Sequence, residues 1–203
     1  MNKTLSKNKL FFKVFLSLFF FFYSNILRAN SLGLQVFLPH IHLSSESVSF
    51  GEKYSYKLDN KGWVVWMPGL KVFYDAKLGK NIWKSSHFRF AASYSKDCMN
   101  QTSYVFHVGP RWKVKLSEKI GFTLGLGSTL WLRKTWEIFP FYKKSEYMKT
   151  SSRYFSGFEY MFLPFSGDFD FEFQLDEKWT AIYSFIPAYP FVFSQTLGFM
   201  MKL

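Results

Sequence analysis

The chain has 203 residues, with 26 Lys and Arg against 14 Asp and Glu, and aromatic residues make up 23% of it. This length suits a single domain. Mean hydropathy is only −0.05, so the aromatic residues are balanced by polar ones. That combination favours a barrel in lipid, which exposes an apolar face with aromatic girdles at both interfaces, over a soluble domain. A single cysteine excludes a fold held by intramolecular disulfides.

Residues 1–29 have the features of a secretory signal peptide. A basic start precedes an apolar run over residues 14–23. The run is shorter than the roughly 20 residues that span a bilayer, so we expect cleavage rather than a retained anchor helix. Removing the five basic residues of this segment leaves 21 basic and 14 acidic residues in the predicted domain, 30–203. For an exported, moderately basic chain we expect anionic lipid headgroups or lipopolysaccharide phosphates as partners, and no nucleic acid.

From residue 30 onward, apolar and polar residues alternate with the period of two that is typical of strands. Each predicted strand is close to the length that a tilted membrane strand needs. We therefore predict an all-β fold, an eight-stranded antiparallel up-and-down transmembrane β-barrel in the outer membrane; a secreted soluble β domain is the alternative. The predicted strands are 34–44, 63–75, 85–96, 103–116, 119–132, 154–173, 178–187 and 191–203.

In the sixth predicted strand the alternation of apolar and polar residues shifts by one position around Pro164 and Ser166, where a bulge would absorb one residue. Three acidic residues then point into the barrel, where they can pair with cations of the strand 103–116, which runs in the same direction. We expect a charged interior rather than a catalytic cluster. Since an eight-stranded barrel is filled by side chains or holds one small ligand, a general porin is not expected. The acids are Asp168, Asp170 and Glu172, and the cations are Arg111, Lys113 and Lys115.

The first and third predicted strands both run outward if the termini lie in the periplasm. The first ends near His42 and the third at Asp97 and Cys98, so these residues reach the same outer rim. A histidine, an acid and a thiol can together activate a nucleophile, although polar residues are expected at any outer rim. His40 and His42 would share one strand face, but no third metal ligand is near in sequence. We therefore expect neither a metal nor a cofactor.

Several stretches resemble the lipid A palmitoyltransferase family of outer-membrane barrels. The loop YSKDCMN at 94–100 resembles the family's Lys-Asp-Ser-Trp-Asn loop. FTLGLGSTL at 122–130, with RKTW at 133–136 and Pro140 beyond, resembles its Gly-Leu-Gly-Phe-Thr strand and the following Asn-Trp…Ile-Pro stretch. YSFIP at 183–187 and the Leu-Pro-His sequence at 38–40 are similar to further family segments. The resemblance implies an acyltransferase that moves a palmitoyl chain from a phospholipid donor to lipid A.

The resemblance also implies roles for particular residues. Asp97 matches the family's aspartate, Cys98 takes the place of its serine, and His42, with His40 second, is the histidine. His42 would act as base, Asp97 would orient it, and Cys98 would act at the ester carbonyl. The glycine-rich face of 121–127 would line the acyl chain, unless it belongs to a packed core. Basic residues near the outer rim would bind lipid A phosphates or be merely solvated: Arg133, Lys134, Lys143, Lys144, Lys149 and Arg153.

Two other functions are compatible with the sequence. One is a non-enzymatic small outer-membrane barrel, structural or involved in surface interactions. The other is a lipid A deacylase, a family that carries a His-Ser pair in its closing strands, whereas 191–203 has no histidine. For each of these functions we expect a monomer, because a closed barrel has no free edges that demand a partner.

Overall fold

The computed structural model of the protein describes residues 31–42, 53–77, 86–140, 142, 148–150, 157–188 and 192–203. The predicted signal peptide, 1–29, lies outside the described residues, as do Lys143, Lys144 and Arg153. The described part of the chain contains no helix long and apolar enough to cross a membrane.

The described residues form eleven strands. They are β1 (Ser31–Phe37), β2 (Pro39–His42), β3 (Val64–Trp66), β4 (Gly69–Lys77), β5 (Ser86–Lys96), β6 (Thr102–Lys115), β7 (Ile120–Lys134), β8 (Lys149–Thr150), β9 (Phe158–Gln174), β10 (Trp179–Ala188) and β11 (Val192–Lys202). β2 continues β1 beyond Leu38, and β3 and β4 are separated only by Met67 and Pro68, so eight strands form the wall. β8 is a short addition that pairs with β9.

The sheet closes on itself through β1, which pairs antiparallel with β4 on one side and with β11 on the other. All other neighbours in the wall are also antiparallel. The prediction of a closed, eight-stranded antiparallel barrel is therefore confirmed. Ser31 lies opposite Lys202, so the described chain starts and ends at the same end of the barrel.

The two faces of the wall have opposite chemistry. Apolar side chains point outward and stay exposed, among them Leu32, Leu34, Val36, Leu70, Val72, Phe106, Leu126, Phe171, Phe173, Leu197 and Phe199. Polar and charged side chains point inward and are buried, among them Gln35, Lys71, Asp75, Arg89, Arg111, Asp168, Asp170 and Thr196. An apolar exterior around a charged interior suits lipid rather than water outside the barrel. The prediction of an outer-membrane barrel is confirmed.

The predicted irregularity in the sixth strand is also present. β9 pairs with β7 through Ser166 and Gly127, and again through Leu163 and Thr129, so the register shifts between the two pairs. The one extra residue on β9 restores the inward direction of the acidic side chains that follow. The sequence predicted this position because Pro164 and Gly167 are residues that a regular central strand rarely holds.

A cluster of ion pairs crosses the middle of the barrel. The Arg89 guanidinium lies 2.6 Å from Asp75 Oδ1 and 2.8 Å from Asp170 Oδ2. Arg111 binds Asp168 and places its Nη2 2.7 Å from Asp170 Oδ2. We call these five residues the ionic cluster. All five are buried, and the attraction between the two guanidinium groups and the three carboxylates is what makes that burial tolerable.

The predicted pairing of acids with cations is confirmed in two of its three parts. Arg111 pairs with Asp168 and Asp170, and Lys113 pairs with Glu172. Lys115 is exposed and forms no ion pair with a described residue. Arg89 was not among the predicted cations. Its partner Asp75 lies directly opposite it on the neighbouring strand β4, whereas its partner Asp170 lies three strands away on β9.

The glycines of β7 leave room for these pairs. Arg111 and Asp168 lie on either side of Gly125 in register, and a methyl group on Gly125 would overlap Asp168 Oδ1 and lie 2.9 Å from Arg111 Nη1. At Gly121, the nearest atom to such a methyl group would be Lys113 Cε at 3.0 Å. The expectation that an acyl chain lies along this face is therefore wrong at both positions, because charged side chains already occupy the space.

We predict that Gly125→Ala destabilises the barrel by about 1–3 kcal/mol, the usual cost of overpacking a filled interior. The control is Gly167→Ala on β9, where the nearest atom to the added methyl group is 3.5 Å away. The free energy of unfolding in urea, measured for protein folded in detergent micelles, gives the comparison. Equal stability of the two variants would contradict the role assigned to Gly125.

Candidate functional site at the capped end of the barrel

Three connections meet at the end of the barrel opposite the termini. They are residues 53–63, 97–101 and 135–142, of which 141 is not described. The Ser55 backbone N–H donates to the Cys98 carbonyl at 2.8 Å, and the Trp136 indole N–H donates to Asp97 Oδ2 at 2.7 Å. We call these three segments the cap. Asp97 and Cys98, the residues singled out by the sequence, lie at its centre.

Asp97 holds the cap together. Its Oδ1 accepts the backbone N–H groups of Met99 at 3.0 Å and Gln101 at 2.7 Å, while Oδ2 accepts Trp136. Burial raises the pKa of the Asp97 carboxyl, although these hydrogen bonds oppose the shift. Asn100, which follows with a φ of 59°, completes the tight turn. Both carboxylate oxygens are thus engaged by donors of the cap, and no histidine bonds to them in the described part of the chain.

Cys98 lies in an apolar cluster with Tyr54, Val65, Met99 and Trp136. Burial raises the pKa of its thiol well above the usual value, and the neighbouring Asp97 raises it further. The thiolate is the nucleophilic form of cysteine, and reactive cysteines have lowered pKa values in partly exposed, electropositive sites. Cys98 has the opposite surroundings and is a neutral thiol at physiological pH.

The structure brings His42 to the same end of the barrel without joining it to the other two residues. The His42 ring packs edge-on against Tyr54, with centroids 4.9 Å apart, and Tyr54 in turn packs in the cluster that contains Cys98. Neither His42 ring nitrogen has a hydrogen-bond partner among the described residues. His42, Asp97 and Cys98 therefore share the capped end, and their catalytic roles remain predictions.

His40 has a different neighbour, which the sequence did not indicate. Its Nδ1 lies 2.8 Å from Ser194 Oγ on β11, so a His-Ser pair exists although β11 itself has no histidine. The two residues are 154 positions apart, and only barrel closure brings them together. His40 Nε2 has no described partner, and a base needs a third group to orient it and stabilise its charge. Among the described residues, no group of three His, Cys, Asp or Glu side chains could hold a metal ion.

Arg133 is not available to lipid A phosphates as the sequence suggested. Its guanidinium lies 4.0 Å from the centroid of the Trp136 ring, and its Nη2 donates to the Tyr142 hydroxyl at 2.8 Å. The Glu159 carboxylate neutralises this guanidinium, with its Oε2 2.9 Å from Arg133 Nη2. Arg133 is a buried, paired residue of the barrel mouth, whereas Lys134 and Lys149 are exposed.

No protein-family model matches the chain, and no curated protein matches it. Among solved structures, it is similar to the Ail protein of Yersinia pestis in complex with the heparin analogue sucrose octasulfate, with 12% identity and a TM-score of 0.44 over 86% of this chain and 97% of that one. Neisserial surface protein A gives 7% identity and a TM-score of 0.48, over 86% and 96% of the two chains.

The N-terminal β-barrel domain of OprF from Pseudomonas aeruginosa gives 7% identity and a TM-score of 0.43, over 85% of this chain and 97% of that one. Likenesses this distant carry no inference about activity. The resemblance to the palmitoyltransferases is supported only as far as a small outer-membrane barrel. That coarser description rests on the closed sheet and the outward apolar face.

We predict that Asp97→Ala destabilises the barrel by about 2–4 kcal/mol, because three donors that Asp97 satisfies would lose their acceptor in a mostly buried site. The matched control is Asp176→Ala. Asp176 accepts two backbone N–H groups in an exposed turn at the other end of the barrel. Its replacement is expected to change the free energy of unfolding by less than about 1 kcal/mol. Similar losses of unfolding free energy in both variants would show that Asp97 stabilises the barrel no more than Asp176 does.

We predict that Cys98 in the folded barrel reacts with iodoacetamide at least about 100-fold more slowly than in the denatured chain. The control is a Cys98→Ala/Ser117→Cys variant, which moves the only thiol to an exposed turn. The pKa of the Cys98 thiol is higher in the folded protein than in the unfolded chain. The contribution of the neutral thiol to stability is therefore complete below the pKa of the unfolded chain and is lost as pH rises through the pKa of the folded protein. Equal alkylation rates at pH 8 in folded and denatured protein would contradict the burial of Cys98.

Proposed function

We propose that the protein is a non-enzymatic outer-membrane barrel with a structural or surface-interaction function, inserted as a monomer. The observation that carries this proposal is the state of the cap. Both oxygens of Asp97 are bound by cap donors, and Cys98 is a buried neutral thiol. Residues in this state stabilise a closed end and are poorly suited to acyl transfer.

The interior of the barrel supports the same proposal. The ionic cluster fills its middle, and a cavity of about 110 Å³ lies between this cluster and the cap. An engineered cavity of about 150 Å³ accepts a molecule the size of benzene, and a palmitoyl chain is much longer. This cavity is therefore too small for the whole acyl chain that a phospholipid donor would supply.

The surface of the cap exposes side chains that are suited to intermolecular contacts. Leu58, Trp63 and Ile138 are large apolar side chains of the cap that are 57%, 45% and 60% exposed. Exposed apolar groups that persist on a folded surface often mark contact sites. Lys134 and Lys149 lie exposed in the same half of the barrel and would favour an anionic neighbour such as lipid A.

One observation favours acyl transfer from a phospholipid to lipid A as a second candidate. His42, Asp97 and Cys98 lie at the same end of the barrel, with Tyr54 between the histidine and the cysteine. For acyl transfer, the 53–63 segment would have to move so that Cys98 becomes exposed and His42 comes within hydrogen-bond reach of its thiol. The His40–Ser194 pair gives the deacylase a candidate residue as well, without the third group that a base requires.

We predict that mass spectrometry of lipid A finds the same acyl pattern in cells that lack the gene, carry it or overexpress it. An added acyl chain that disappears in both Asp97→Asn and Cys98→Ala would replace the proposal with acyl transfer. A lost acyl chain that returns in Ser194→Ala would replace it with deacylation. Ser117→Ala, in an exposed turn, is the control for both, and barrel levels are matched by the heat-dependent gel shift of the folded protein.

A further inference from the structure

The segment 56–66 is a hairpin that joins the cap to the wall of the barrel. The Leu58 N–H donates to the Val64 carbonyl at 2.8 Å, and the Trp66 N–H donates to the Tyr56 carbonyl at 2.9 Å. Its second arm contains β3, and its first arm takes the place beside β3 that β5 has beside β4 further down the wall. The hairpin therefore extends the circumference of the barrel and borders the surroundings of the wall.

The apolar side chains of this hairpin share the outward face of the wall. The pairing of its arms places Leu58 opposite Val64, which in turn lies opposite Ile41 of β2. Residues that lie directly opposite each other in a sheet point to the same face, and Leu58 and Ile41 are both exposed. Trp63, in the turn between the arms, is exposed as well. The apolar side of the hairpin thus faces away from the barrel axis.

The height of the wall places the hairpin relative to the bilayer. Trp66 is exposed, and Leu70 continues its outward face on β4. The ten residues from Trp66 to Ala76, at the other end of β4, extend about 33 Å along the strand, which becomes about 25 Å along the barrel axis at a tilt of roughly 40°. This is the height of the apolar band of outer-membrane barrels. Trp66 therefore lies at the outer edge of the band, and the turn of the hairpin lies beyond it, at the level of the headgroups.

The turn of the hairpin carries exposed positive charge. Asp59 closes the turn with both carboxylate oxygens: Oδ1 accepts the Val64 N–H at 2.8 Å, and Oδ2 accepts the Lys61 N–H at 3.2 Å. Lys57 and Lys61 flank Asp59 in the sequence, and both side chains are exposed. The hairpin thus presents two ammonium groups and a single carboxylate that backbone donors already bind, so its surface attracts anions.

We propose that the 56–66 hairpin docks on the anionic lipid headgroups of the surrounding bilayer, with Leu58 and Trp63 among the headgroups and Lys57 and Lys61 on their phosphate groups. Tryptophan concentrates at membrane interfaces, and lysine extends its ammonium group to the polar layer there. A protein partner fits this surface less well, because lysine is depleted in protein–protein interfaces. The proposal names the partner of one part of the exposed cap surface and so rests on the proposed surface function.

The test places a nitroxide spin label at the tip of the hairpin, in an Asn60→Cys/Cys98→Ala variant of the barrel in lipid nanodiscs. The nanodiscs contain phosphatidylcholine alone or phosphatidylcholine with phosphatidylglycerol. The depth of the label is measured as the ratio of its collision rates with oxygen, which enters lipid, and with a water-soluble nickel chelate. With phosphatidylglycerol, we expect a ratio at least about threefold that of a Ser117→Cys/Cys98→Ala control, because tryptophan-bearing segments lie at the level of the headgroups. Equal ratios would place the hairpin in water and overturn the proposal.

Charge variants in the labelled barrel test the contact with anionic headgroups. Lys57→Gln/Lys61→Gln is expected to lower the ratio to its value in phosphatidylcholine alone, whereas Lys115→Gln/Lys119→Gln, which removes the same charge at the other end of the barrel, leaves it unchanged. A ratio that is high in both lipids and insensitive to Lys57 and Lys61 would show an apolar contact only and would also overturn the proposal. Either failure leaves the non-enzymatic function standing, whereas an altered lipid A acyl pattern overturns that function whatever the depth of the label.

Discussion

The carboxylates of Asp168 and Asp170 lie against two buried guanidinium groups, and the arrangement of the barrel depends on this contact. Removing one partner of a buried ion pair typically costs 3–5 kcal/mol, because the other charge is left uncompensated. The acids come from β9 and the cations from β5 and β6, so the strands must close in the register that brings them together. Gly125 on the intervening strand keeps the passage between Arg111 and Asp168 free. The central ion pairs thus link strand register to interior packing.

The ionic cluster also divides the interior into two parts with different properties. Toward the termini, Lys113 and Glu172 continue the line of charges until the side chains reach solvent. Toward the cap, charge gives way to apolar and hydroxyl-bearing side chains around the cavity. The cap then closes that end through the three hydrogen bonds that Asp97 accepts. Because the ionic cluster and the cap both obstruct the interior, functional contacts of this barrel are confined to its outer surfaces and to the cavity between the two.

The sequence predicted the features that depend on local patterns. Alternation identified all eight wall strands and their faces because it follows from strand geometry alone, and Pro164 marked the register shift because proline cannot donate to the ladder. The pairing of Arg111 with Asp168 could be predicted from strand direction. The contact of Arg89 with Asp170 and the His40–Ser194 pair could not, because they depend on register and closure across strands distant in sequence. The burial of Cys98 depends on the 53–63 segment folding over it, which no local pattern indicates.

The cysteine at position 98 bears on how the resemblance to the palmitoyltransferases relates to the proposed function. The neighbours of Cys98 are mainly apolar: Val65, Met99 and the rings of Tyr54 and Trp136. A serine hydroxyl buried there would need a hydrogen-bond partner, whereas a thiol behaves as a small apolar group and tolerates such a site. A cysteine at this position therefore suits a loop that is packed into a cap rather than opened to a substrate. In the same loop Asp97 stabilises the cap by accepting the indole N–H of Trp136. These contacts make a non-enzymatic function compatible with a loop that resembles a catalytic loop in sequence.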